Sequence, residues 1–249
     1  MPVTKHVSSL QKDPIVQLLA RGTDYVVVHK PAGMIIAQSQ GSPQNTLLDL
    51  LQELISESIQ PVHRLDRVTC GCCVFAQGQA AQQRLGQAFR HRQIDKRYLA
   101  LVEGCPRFDK TTIDLRLKRV DRPNAKKGPL AYQTVDKRGK QAITHVSLWQ
   151  TAQSIAAVEI HPITGRMHQI RAHLAAIGHP ILGDRLYGSQ SFFAPHSIAL
   201  LAFALRFPTS TGKSKSATSH LPELFVQCTQ EHGFDIRQQF SKTTRRFCS

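Results

Sequence analysis

Acidic side chains are scarce in this 249-residue chain: 17 Asp and Glu face 32 Lys and Arg, a formal charge of +15 with a pI near 10.0. That imbalance excludes a neutral surface and draws polyanions, nucleic acid first and an anionic membrane surface second. Long apolar runs are lacking as well. No stretch approaches the ~18 residues that span a bilayer, and Met1 to Pro14 holds no apolar signal-peptide core, so neither a membrane-spanning nor an exported protein is expected. Paired cysteines at ligand spacing are also absent. Cys70, Cys72 and Cys73 crowd one segment, while Cys105, Cys228 and Cys248 stand alone. Reduced thiols in a cytoplasmic protein, with no metal site, are the expectation.

Against these absences stands a hydrophobic content of 41%, enough for a substantial core near the upper limit of one domain. Tyr25 to Val28 reads as a strand, Lys30-Pro31-Ala32-Gly33 as a turn and Met34 to Ala37 as a resumed strand. Asn45 or Thr46 can cap a helix carrying Leu47, Leu50, Leu51 and Leu54. Cys72 to Ala76 reads as a buried strand, Gln79 to Arg92 as an amphipathic helix and Tyr98 to Val102 as a strand. Ala142 to Trp149 and Ile155 to Ile160 form a strand pair, and Arg166 to Ile177 a helix stopped by Gly178 and Pro180. Strands and helices mix without regular βαβ alternation, which predicts an α+β domain on a largely antiparallel mixed sheet flanked by helices and loops.

Charge is unevenly spread. Lys110 to Lys140 holds ten Lys or Arg against three Asp, broken by Pro123, Gly128 and Pro129, and reads as a flexible basic arm. From about Gly233 the chain carries Arg237, Lys242, Arg245 and Arg246 with few apolar anchors, the pattern of a solvated basic tail. Three regions are expected: an N-terminal extension over 1–24, a catalytic domain over 25–232 and the tail over 233–249.

Chemistry concentrates in two places. Asp66 sits in a short polar run between Arg64 and Arg67, whose guanidinium groups favour an ionised carboxylate and can hold a phosphate backbone. Alone, that run is equally a solvated charged loop. In the helix from Arg166, residues Met167, Ile170, Leu174 and Ile177 form an apolar stripe with Arg171 beside it. A cation so placed requires an interior carboxylate, and Asp66 and Asp184 are both candidates. Other enzyme classes fail on spacing. His63-Arg64-Leu65-Asp66 is not the kinase His-Arg-Asp, Gly212-Lys213-Ser214 lacks the earlier glycine of a phosphate loop, and His168 and His173 fall on different helix faces.

His63-Arg64-Leu65-Asp66 followed by Gly71 resembles the signature of the RluA-type family of pseudouridine synthases. Lys30-Pro31-Ala32-Gly33 is similar to that family's early Lys-Pro turn, and Lys96-Arg97-Tyr98 to the segment bearing its active-site tyrosine. Thr164 to Arg171, continuing through Gly178 to Asp184 and Tyr187-Gly188, is the longest match. The resemblance covers about Tyr25 to Val226. It implies a pseudouridine synthase fold and a cofactor-free isomerisation in which uracil leaves C1′ of the ribose, turns, and rejoins through C5.

By this resemblance Asp66 is the catalytic aspartate, acting covalently or by a glycal route. Tyr98 stacks on the flipped base and helps move the C5 proton, and Arg171 pairs with the aspartate. Arg64 helps displace the target nucleotide. Met167 departs from a usual Thr or Ser, and Cys70, Cys72 and Cys73 replace smaller or aliphatic residues. The 24 residues before Tyr25 are too few for an S4-like RNA-binding domain. Grip on RNA is then expected from Arg64, Arg67, Arg166 and His168 and from Lys126 and Lys127 in the basic arm. The expected partner is an rRNA or tRNA stem-loop, bound by a monomer without a membrane. The competing function is an RNA-binding or RNA-folding protein whose chemistry is minor or lost.

Overall fold

Tyr25-Val26-Val27-Val28 carries no polar alternation, the pattern of a strand covered on both faces. In the computed structural model, which describes residues 16–38, 46–122 and 131–249, β1 (Gln17–Arg21) pairs antiparallel with β2 (Tyr25–Lys30), all of whose residues are buried. Val26 and Val28 pack against Leu47 and Leu51 of α1 (Leu47–Leu54). Thr46 starts α1 with a reciprocal cap: Asp49 N–H donates to Thr46 Oγ1 at 3.2 Å, and Thr46 N–H donates to Asp49 Oδ2 at 2.8 Å. After β3 (Ile59–Pro61) and β4 (Cys70–Gln77) comes α2 (Gln79–Arg90), whose Ala81, Leu85 and Ala88 share a second cluster with Tyr25, Val27, Cys72 and Val74.

The remaining strands are β5 (Asp95–Glu103), β6 (Lys110–Asp114), β7 (Leu117–Asp121), β8 (Ala131–Val135), β9 (Ile143–Ala152), β10 (Ile155–Pro162), β11 (Leu200–Pro208) and β12 (Ser214–Thr218). Among the described residues ten strands form one sheet, ordered β1-β2-β4-β11-β5-β10-β9-β6, with β3 on β4 and β12 on β11, and β7 and β8 make a separate ribbon. Every pairing is antiparallel except β4 with β11. There Gly71 has φ +117, and a Cβ on it would overlap the Ala202 carbonyl, so glycine is required for the two strands to meet. Ala202 lies opposite Tyr98. Phe203, on the reverse face, meets Trp149 and Phe240. Three further helices, α3 (Gln169–Ala176), α4 (Glu223–Glu231) and α5 (Arg237–Cys248), complete an α+β fold.

Several expectations need correction. Met34 to Ala37 is not a strand, because the Ile35 and Ile36 carbonyls accept the first N–H groups of α1, from Leu47 and Leu48, at 2.9 Å each. The basic stretch from Lys110 is not a loose arm where it is described: β6, β7 and β8 turn Ile113, Leu117 and Ala131 inward while their charges point out. Lys126, Lys127, Pro123, Gly128 and Pro129 lie outside the described residues. The extension over 1–24 contributes β1 to the sheet in its described part. The terminus over 233–249 is no solvated tail, because Phe234, Ile236, Phe240 and Phe247 join the main core and α5 lies on the back of β11 and β12.

Burial pushes the Cys70 and Cys73 thiols up to about 11 and about 12, which keeps both protonated inside β4. They act as small apolar residues.

Phe240→Ala is expected to lower unfolding stability by about 3–5 kcal/mol, read by urea titration with circular dichroism. A change within about 0.5 kcal/mol, usual for solvated sites, would make the terminus a tail after all.

Candidate active site

Beyond β3 the motif residues alternate in and out. His63 stacks on Phe89 with centroids 4.5 Å apart and accepts the Val74 N–H at 3.0 Å. Burial, aided by the Lys96 charge, pushes its pKa down to about 3, so it is a neutral acceptor. Leu65 is buried in the α1 cluster. Arg64 and Asp66 are left on the outer side, Arg64 exposed and Asp66 with 24% of its side chain accessible.

The Lys-Pro turn supports this loop from beneath. Lys30 is fully buried, and its Nζ donates to the carbonyls of Pro31 at 2.8 Å, Met34 at 2.9 Å and Arg67 at 3.3 Å. Burial pushes its pKa down to about 8, which leaves it protonated at neutral pH. Gly33 N–H donates to the Arg67 carbonyl at 2.8 Å, and Arg67 Nε returns a bond to the Gly33 carbonyl at 2.9 Å. Arg67, expected as an RNA contact, therefore spends one donor on the turn while its side chain stays exposed.

Arg171, only 5% exposed, resolves the choice between two carboxylates by binding both. Its Nε and Nη2 donate to Asp184 Oδ2 and Oδ1 at 2.7 and 2.8 Å, a two-pronged bond to a buried partner. Its Nη1 donates to Asp66 Oδ2 at 3.2 Å. Burial opposes the guanidinium charge, but Asp184 and then Asp66 outweigh it and hold its pKa above the ordinary value. The Tyr187 ring lies 5.0 Å from the guanidinium carbon.

Asp66 has a second neighbour in His168, whose Nε2 is 3.8 Å from Oδ1 while its Nδ1 is 3.1 Å from the Tyr187 hydroxyl. Burial lowers the His168 pKa against the pull of Asp66, which favours the neutral ring. His168 has left-handed backbone, φ +52, so α3 begins at Gln169 rather than at the expected Arg166. Gln169 wires the preceding loop: its Oε1 accepts from Thr164 Oγ1 at 2.7 Å and Arg166 N–H at 3.0 Å, and its Nε2 donates to the Ile143 carbonyl at 3.0 Å. Arg166 is half-buried, with Nε donating to the Gln141 carbonyl at 3.0 Å.

Tyr98 on β5 packs partly buried between the main core and the α1 cluster. Burial raises its hydroxyl pKa and the nearby charge of Asp66 adds to that, so the phenol stays neutral. A carboxylate with one oxygen bonded to a guanidinium, bordered by an aromatic ring and a neutral imidazole, can act as nucleophile or base toward a planar substrate.

Residues 24–176 match the family model described as RNA pseudouridylate synthase. The chain belongs to that family. Among pseudouridine synthases it is similar to the dual-specificity RNA pseudouridine synthase RluA of Escherichia coli strain K12, at 36% identity over 216 residues, 86% of this chain and 96% of the relative. It is also similar to human pseudouridylate synthase RPUSD2, at 35% identity over 191 residues, 76% of this chain and 34% of the relative. In structure it is similar to human RNA pseudouridylate synthase domain containing 1, with a TM-score of 0.73 and 26% identity, covering 93% of this chain and 95% of that one.

Two residues of this site, Lys30 and Tyr187, lie in matching blocks of the sequence but carry no role of their own there. Lys30 could have been found as the lone cation closing a strand of otherwise buried residues. Tyr187 carried no signal of its own beyond lying in a matching block, since it reaches the site from a single 3-10 turn, Arg185–Tyr187.

Asp184→Ala is expected to lower stability by about 3–5 kcal/mol in urea titration, because it strands the buried guanidinium. Asp66→Ala, at an accessible carboxylate on the third nitrogen, should change it by under about 1 kcal/mol. Equal losses would mean that Arg171 does not depend on Asp184.

Proposed function

We propose that this chain, an isomerase acting on RNA, converts selected uridines to pseudouridine with Asp66 as its catalytic carboxylate. In this reading Arg171 holds and aims that carboxylate, and Tyr98 is the surface on which the displaced base rests. The observation that carries it is the double use of Arg171, because only the third nitrogen reaches Asp66 and 24% of the Asp66 side chain stays accessible.

The reaction balances without a cofactor. The C1′–N1 bond breaks, the C1′–C5 bond forms, the C5 proton leaves and N1 gains one, so substrate and product have the same composition. Asp66 either bonds to C1′ or assists a glycal route, and both demand an ionised carboxylate. Tyr98, neutral and flat, offers stacking to a base taken out of its helix and a hydroxyl near the migrating proton. Arg64, exposed beside Asp66, is suited to fill the space that the displaced nucleotide leaves.

Arg67, Arg166, His168, Lys126 and Lys127 are proposed to hold the RNA backbone around this centre. The substrate is an rRNA or tRNA stem-loop, the working form a monomer and the compartment the cytoplasm. In support, the printed name of the Escherichia coli relative is that of a dual-specificity RNA pseudouridine synthase, and among the described residues no helix is long and apolar enough to cross a membrane. A binding protein without chemistry has no use for Asp66, Tyr98 and Arg171 together, so that alternative is not favoured.

The test is pseudouridine mapping at nucleotide resolution on unmodified RNA incubated with purified protein. Asp66→Asn should reduce product formation about a thousandfold or more while changing RNA affinity by less than about threefold. Product at the wild-type rate from the variant would remove Asp66 from the chemistry.

A further inference from the structure

Lys96, whose charge reaches His63, is a cation beside the site with no part in the proposed reaction. Side chains alternate along β5, so Lys96 shares the face of Tyr98, about 7 Å along the strand from it. Asp95 and Arg97 turn to the other face, where Asp95 meets Arg97 at 3.1 Å and His161 at 3.1 Å. The adjacent carboxylate is therefore taken. Among the described residues no ion pair involves Lys96.

Its ammonium lies between the two loops that build the site. A Cβ added to Gly165, beside Arg166, would sit 3.8 Å from Lys96 Nζ, and His63, which opens the Asp66 loop, feels the Lys96 charge. Arg92, exposed at the turn from α2 into β5 with left-handed backbone at φ +59, adds positive charge to the same place. Burial pushes the Lys96 pKa down to about 8, with Asp95 partly offsetting and Arg92 reinforcing it, so the ammonium is charged at neutral pH. A half-buried ammonium without a counter-ion, close to a second cation, calls for an anion.

We infer that Lys96, with Arg92 at its rim, binds a backbone phosphate of the RNA strand that carries the target uridine. Lys96 thereby sets affinity and register and leaves the chemical step to Asp66. The inference rests on the RNA isomerase reading above. A lysine suits this task because it offers a point charge with three donors that tolerates varied phosphate orientations, and Gly165 keeps the approach open.

The experiment compares wild type, Lys96→Gln and Lys96→Arg on an unmodified RNA transcript that the wild type modifies, with KM and kcat measured over a range of potassium chloride. Lys96→Gln should raise KM about tenfold with kcat within about twofold, and should reduce the slope of log KM against log salt by about one. Lys96→Arg should recover most of the affinity and the slope. If Lys96→Gln melts below the assay temperature, Lys96→Met, which keeps the aliphatic stem, is measured in its place. A loss in kcat at unchanged KM, or an unchanged salt slope, overturns the phosphate assignment. If the wild type makes no pseudouridine on any transcript, the isomerase reading fails instead, and the same slopes from filter binding still decide the subsite.

Discussion

A guanidinium taken out of water must find acceptors for all its donors, and this need at Arg171 organises the candidate site. Asp184, itself buried, uses two of its nitrogens, and the third is left for Asp66. The Asp66 loop is thereby brought to α3 and the nearby turn after Ile181, across a separation of 105 residues between Asp66 and Arg171. The buried pair supplies the anchoring, and the Asp66 carboxylate stays partly accessible. An arginine held by Asp66 alone would tie its orientation to the carboxylate proposed to react; sharing it with Asp184 removes that conflict.

The sheet serves the same end. β4 and β11 run parallel for a short stretch and meet only because Gly71 has no side chain, which brings Ala202 and Tyr98 beside the Asp66 loop. Lys30 is the counterpart on the other side. Its three bonds to carbonyls tie the Lys-Pro turn to Arg67, so a buried ammonium holds the backbone next to Asp66 from below while Arg171 holds the Asp66 carboxylate from the front. The loop is polar on its outer side and rigid in its support, which is how a reactive group on a loop keeps its aim.

Much of this was readable in the sequence where interactions are local. The β-branched run of β2 and the Thr46 cap each depend on neighbours within a turn or two. The expected stripe of α3 is not observed, because the helix starts after Met167 and buries every residue from Gln169 to Leu174, yet the apolar neighbours of Arg171 still implied an interior partner for it. What those neighbours could not say is that the arginine serves two carboxylates, since that depends on how segments distant in sequence converge. β11 has no such local signature beyond the apolar run Ile198 to Leu205, because its place at the centre of the sheet comes from pairings with β4 and β5. Charge misled twice. In β6 and β7 it obscured inward residues at every second or third position, and in α5 four basic residues drew attention from Ile236, Phe240 and Phe247, which share one helix face.

The central claim is that Arg171 aims Asp66 through geometry that a single point charge cannot supply. Single-turnover rates for Arg171→Lys, measured with saturating enzyme on an unmodified RNA transcript, address it most directly. A lysine keeps the charge but cannot bond Asp184 with two nitrogens and Asp66 with a third. The rate should fall about a hundredfold or more, with RNA affinity within about threefold and the variant folded at the assay temperature. A folded variant that reacts at the wild-type rate would contradict the claim.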